Sequence, residues 1–111
     1  MKFVDTIPLE DIARFCRRWQ IREFALFGSA LRDDFHPESD IDVLITYAPT
    51  SEWGLFDHVQ MRNELSALLG RKIDLVTRRA LEQTRNQILR DRILKTAHVI
   101  FSEGETADAE R

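Results

Sequence analysis

The stretch SDIDVLITY, residues 39–47, decides how this chain is read. Its apolar content is that of a buried β-strand, yet Asp40 and Asp42 stand on either side of Ile41 at its start. Side chains alternate across a strand with a period of two, so both aspartates are expected on one face and Ile41 on the other. Paired carboxylates on one face repel unless a cation lies between them. An oxygen-rich, charge-dense site of this kind suits Mg²⁺, which keeps several waters and shares its coordination with substrate phosphates. The strand reads as half of a phosphoryl or nucleotidyl transfer site.

The other half lies upstream. EFALF, residues 23–27, is a short apolar strand running into Gly28-Ser29 and then Ala30-Leu31-Arg32. That order is strand, tight turn, helix start. Glycine allows close backbone approach to a ligand, and the free N–H groups of a helix start together with the Ser29 hydroxyl suit a phosphate. Arg32, one helical turn beyond Ser29, is placed to reach the same anion. A third acid, Asp74, sits in the apolar run KIDLVT, residues 72–77. If the two acidic strands are neighbours, Asp74 completes a cluster of three carboxylates. Taken singly, a Gly-Ser turn is ordinary capping chemistry and an Asp-x-Asp pair an ordinary strand end. Together they are independent requirements of one mechanism.

Gly28-Ser29, the ten-residue gap, Asp40-x-Asp42 and the later Asp74 resemble the signature of the DNA polymerase β-type nucleotidyltransferase superfamily. Within it the chain is similar to the minimal nucleotidyltransferase (MNT) family over roughly residues 5–102, including FGSALRDDF, SDIDVLI and the closing ILRDRILKTAHVIF. One departure is Asp33, where many relatives carry glycine.

The resemblance implies an α/β fold, a small mixed β-sheet flanked by helices. It also implies two Mg²⁺ ions held by Asp40, Asp42 and Asp74, with ATP as substrate and Gly28, Ser29 and Arg32 on its phosphates. Members of the family are commonly antitoxins of HEPN-domain ribonuclease toxins, and some transfer AMP to a toxin tyrosine. The expected partner is therefore a HEPN-domain toxin in a hetero-complex. Two other roles stay open: an antitoxin that neutralises by binding alone, and a transferase acting on a small-molecule hydroxyl such as an antibiotic.

At 111 residues and 43% hydrophobic content, one domain with a single core is expected over residues 1–102, followed by a polar tail over 103–111. A single cysteine excludes an internal disulfide framework, and Cys16 reads as a small core residue. No run approaches the ~20 apolar residues needed to cross a bilayer, and the expected location is the cytoplasm. The net charge of −3 is unevenly spread. Residues 33–64 hold eight acids against one base, whereas residues 71–95 hold eight bases against three acids. The acidic half fits a metal site. The basic half fits an anionic partner, with Arg85, Arg90 or Arg92 among the expected contacts, although a solvated helix face is the plainer reading for most of these arginines. Net acidity argues against nonspecific nucleic-acid binding.

Helical spacing predicts a first helix after Pro8, with Leu9, Ile12, Ala13, Cys16 and Trp19 on one face. A short helix is expected from Ala30 to the turn at His36-Pro37, and another over 55–69 closed by Gly70. Residues 80–96 read as helix, broken near Asn86, and residues 98–102 as a last strand. His36, His58 and His98 lack acid–histidine spacing and read as surface or strand residues. Trp53, Phe56 and Tyr47 read as packing residues.

Overall fold

The computed structural model describes residues 6–31 and 40–103, and of residues 29 and 30 the backbone alone. Helix α1 spans Leu9–Arg18, strand β1 Ile21–Phe27, β2 Ile41–Tyr47, helix α2 Leu55–Leu69, β3 Ile73–Thr77, α3 Arg78–Glu82, α4 Gln87–Thr96 and β4 His98–Ser102. The strands form one sheet in the order β3-β2-β1-β4. β1 runs antiparallel to both β2 and β4, while β2 and β3 are parallel. Parallel neighbours need a crossover, and α2 supplies it.

Local chemistry sets the element ends. α1 carries Glu10 and Asp11 in its first turn and Arg17 and Arg18 in its last, the arrangement that the helix dipole favours. α2 stops at Gly70, whose φ of +68° belongs to the left-handed region. Thr77 Oγ1 accepts from the Ala80 N–H at 3.1 Å and Asn86 Oδ1 from the Leu89 N–H at 3.0 Å, capping α3 and α4 in turn. The helix expected over 80–96 is thus two helices, and the break falls at Asn86 because its side chain begins the second.

The sheet is packed on both faces. On one, Ile12, Phe15 and Cys16 of α1 and Met61 and Leu65 of α2 meet Phe24, Leu26, Ile41, Val43 and Ile45. On the other, Leu81 of α3 and Ile93 of α4 meet Ala25, Phe27 and Leu44. The alternation along β2 is thereby resolved: odd-numbered residues 41, 43 and 45 face α1 and α2, and Leu44 faces α3 and α4. The loop after β2 is fastened by Trp53, whose indole N–H donates to the Trp19 carbonyl at 2.5 Å while the two rings meet edge-on. Packing is thus the role of Trp53.

β3 starts at Ile73, one residue after the expected Lys72, and α3 at Arg78, two before the expected Ala80, and three further differences lie near the acidic strand. β1 starts at Ile21, because Ile21 is itself fully buried in the core. β2 starts at Ile41, which leaves Asp40 as the residue immediately before it. After β1 the chain makes a 3-10 turn over Gly28–Leu31. The expected helix continuation to His36-Pro37, together with Arg32, Asp33 and Ser39, lies outside the described residues. So does the expected tail beyond Glu103.

Candidate active site

Parallel pairing aligns the acids of β2 and of its edge neighbour β3. In the β2–β3 register Asp42 stands opposite Asp74, followed by Leu44 opposite Val76. Residues opposite one another in register project from the same face. Leu44 places that face on the α3–α4 side, where Val76 also packs. The helices cover the Leu44–Val76 step and leave the acidic step before it more open: Asp42 is half-buried and Asp74 exposed. Apolar residues one step further in explain why the acids collect at this end of the sheet.

The glycine turn lies directly against this pair. Phe27, the last residue of β1, is the register partner of Asp42. Gly28 follows with φ +68°, a conformation that disfavours any side chain. A Cβ at Gly28 would lie 3.2 Å from Asp42 Cγ and closer still to its Oδ2. The backbone therefore passes the carboxylate at a distance that only glycine permits. Ser29 continues the 3-10 turn, which packs against β2.

Asp40 is exposed at the mouth of the parallel pair, where the Ile41 N–H donates to the Lys72 carbonyl at 2.8 Å. It borders a cavity of about 300 Å³ shared with Arg62, Asn63, Ser66 and Lys72. Among the described residues, no three acidic, histidine or cysteine side chains are gathered as a ready metal cage. The sheet itself supplies the Asp42–Asp74 pair, with Asp40 two residues upstream of Asp42. Two carboxylates in register beside a backbone stripped of side chain fit a hard cation that shares its coordination with phosphate oxygens.

His58 is not a ligand here but part of a clip beneath the sheet. Its Nε2–H donates to the Leu75 carbonyl at 3.1 Å, which leaves Nδ1 as the acceptor facing the Tyr47 hydroxyl at 3.4 Å. The same hydroxyl is 3.6 Å from Met61 Sδ. Burial, and secondarily the nearby Asp57, push the Tyr47 phenol above its ordinary pKa, so it stays protonated. The expected surface place of His58 gives way to a half-buried one. The signal was present in its spacing to Met61 and Leu65, which share the inward face of α2. Lys72 and Arg62 beside Asp40 had no sequence signal tying them to the acidic strand.

A small mixed sheet between helices, with acids paired at the strand end beside a glycine turn, is the architecture of a nucleotidyltransferase domain. The nucleotidyltransferase domain family matches residues 10–96, and the chain belongs to it. A Methanocaldococcus jannaschii protein named "putative protein adenylyltransferase" is 38% identical over 65 residues, which is 58% of this chain and 63% of that protein. The chain thus spans less than two thirds of that relative. A solved structure described as a "putative minimal nucleotidyltransferase" is 28% identical with a TM-score of 0.65, covering 87% of this chain and 94% of the other. A Shewanella oneidensis assembly, a tri-AMPylated HEPN toxin in complex with MNT antitoxin, aligns with a TM-score of 0.59 over 91% of this chain and 75% of its own. At 16% identity the last likeness is one of fold.

Proposed function

We propose that the chain is a Mg²⁺-dependent nucleotidyltransferase that moves AMP from ATP to a hydroxyl of a partner protein. The proposed acceptor is a tyrosine of a HEPN-type ribonuclease toxin, so that the chain acts as that toxin's antitoxin. The observation that carries this reading is the Asp42–Asp74 register with Gly28 set against Asp42. Membership of the family and the names of its relatives support it.

Asp40, Asp42 and Asp74 are the residues that would hold two Mg²⁺ ions. Bound there, the metal would neutralise phosphate charge and align the α-phosphorus for in-line displacement. Gly28 and Ser29 present the backbone of the turn to the β- and γ-phosphates, and Arg32 adds a cation to the same anion. Asp74, the more exposed of the paired acids, faces the acceptor side and takes the proton of the attacking hydroxyl. The hydroxyl oxygen forms a bond to the α-phosphorus as the bond to the β-phosphate oxygen breaks, and pyrophosphate leaves with the electron pair.

Intact-mass measurement of a HEPN-type protein from the native host, incubated with this chain, ATP and Mg²⁺, tests the reading. A gain of one AMP on tyrosine, with loss of RNA cleavage, is expected. A tight complex with silenced RNA cleavage but unchanged mass would contradict catalysis and leave an antitoxin acting by binding. AMP on a small-molecule hydroxyl alone would contradict the protein acceptor.

A further inference from the structure

Helix α4 has two unlike sides. Ile93 is buried in the cluster with Phe27 and Leu44, with Leu94 and Ala97 packed against that cluster. Arg90, expected as a partner contact, turns partly inward with its side chain 28% exposed and pairs with Asp91 at 3.8 Å. The opposite side carries Ile88, Arg92 and Lys95 at i, i+4 and i+7, one stripe along the helix, with Asp91 exposed beside it and paired with Arg90. Ile88 is 75% exposed and Leu89, beside the stripe, 45%. Among the described residues, Arg85, Arg92 and Lys95 make no ion pair. An apolar centre with unpaired cations around it has the anatomy of a protein-binding surface.

The stripe also points at the site. α4 ends at Thr96, and β4 begins at His98 opposite Leu26, one residue before Phe27, the register partner of Asp42. The Lys95 end of the helix thus arrives at the same end of the sheet as Gly28 and the paired acids. From this placement we infer that the outer face of α4, Ile88 and Leu89 ringed by Arg85, Arg92 and Lys95, is the docking surface for the acceptor protein. The partner segment it fits is apolar at its centre and acidic at its rim. This rests on the proposed protein-modifying function, which requires a macromolecule to be held beside Asp74. A second copy of the chain has acids to offer as well, but a self-contact along this stripe would occupy the approach to the site.

The test uses the full chain and a HEPN-type protein of the native host, with association followed by stopped flow in the absence of nucleotide. Arg92→Glu combined with Lys95→Glu should slow association about tenfold and weaken its salt dependence, and Ile88→Ser should speed dissociation by a similar factor. All three positions are solvent-exposed, so the fold is retained. The affinity of each variant for AMP-PNP should match the parent's, and Arg14→Glu on α1 should leave association within twofold. Association and dissociation within twofold of the parent in both α4 variants would overturn the proposal, as would failure of the parent to bind the HEPN-type protein. A change in the chain's own oligomeric state with binding undisturbed would assign the stripe to a second copy and overturn it too. Because docking is read without ATP, a parent that docks but transfers no AMP refutes the catalytic reading and leaves this one standing.

Discussion

At Gly28 the backbone holds φ +68° while a Cβ would press on the Asp42 carboxylate. Gly28→Ala therefore meets strain and crowding together, and is expected to cost about 1–3 kcal/mol of stability and to abolish nucleotide binding. Chemical unfolding and AMP-PNP titration measure the two effects. A variant of parental stability that binds normally would show that the turn does not abut the site. Asp74 is exposed, so Asp74→Asn should leave stability within about 0.5 kcal/mol. Loss of a general base should lower turnover by about 10²–10⁴-fold with little change in ATP affinity. Weak ATP binding with normal turnover would place Asp74 on the nucleotide instead. The Gly-Ser turn and the three acids were all visible as residue types out of place in apolar runs. What the sequence could not supply was their mutual register. Which strands are neighbours depends on long-range packing, so the alignment of Asp42 with Asp74 appears only in the folded sheet.

At the scale of elements, α1 is tied to the sheet by fully buried side chains that include Cys16. Burial pushes the Cys16 thiol from 9.0 up to about 12, with Glu103 adding to the shift and Arg17 opposing it. The folded state then keeps its proton over a range in which the unfolded chain releases it. Stability from this source is full below the unfolded pKa near 9 and falls as pH rises toward about 12, with a limiting slope of about 1.4 kcal/mol per pH unit. Between pH 8 and pH 10 the parent should lose roughly 1 kcal/mol more than Cys16→Ala, as read from urea unfolding of both at each pH. Equal losses would mean that the thiol is not held neutral by burial. Periodicity and end signals located the helices well, down to Gly70 and the break at Asn86, because caps and apolar spacing are local. The start of β2 was less legible. Ser39 and Asp40 continue the sequence pattern, but the ordered pairing begins with Ile41, the first residue that the core buries.

For the whole molecule, ligand binding and stability are linked. Mg²⁺-ATP that binds only the folded state, at about a hundred times its dissociation constant, should add about 2.7 kcal/mol. For a domain of this size that raises the melting temperature on the order of 10 °C. Asp42→Asn should show little of this gain. An equal rise in both proteins would separate Asp42 from nucleotide and metal. The bases of α4 lie along the helix that leads to the acidic end of β2, while Asp74, an acid of the basic half, joins Asp42 there through the β2–β3 pairing. Among the described residues no helix is long and apolar enough to cross a membrane.

Proposed transfer at the α-phosphorus through Asp42 and Asp74 is open to direct measurement. The most direct measurement offers the HEPN-type acceptor ATP labelled at the α- or at the γ-phosphate, with Mg²⁺ and either the parent chain or Asp42→Asn. Label is expected on the acceptor from α-labelled ATP with the parent, none from γ-labelled ATP, and none from either with Asp42→Asn. Label from the γ-phosphate, or equal α-labelling by Asp42→Asn, would contradict it.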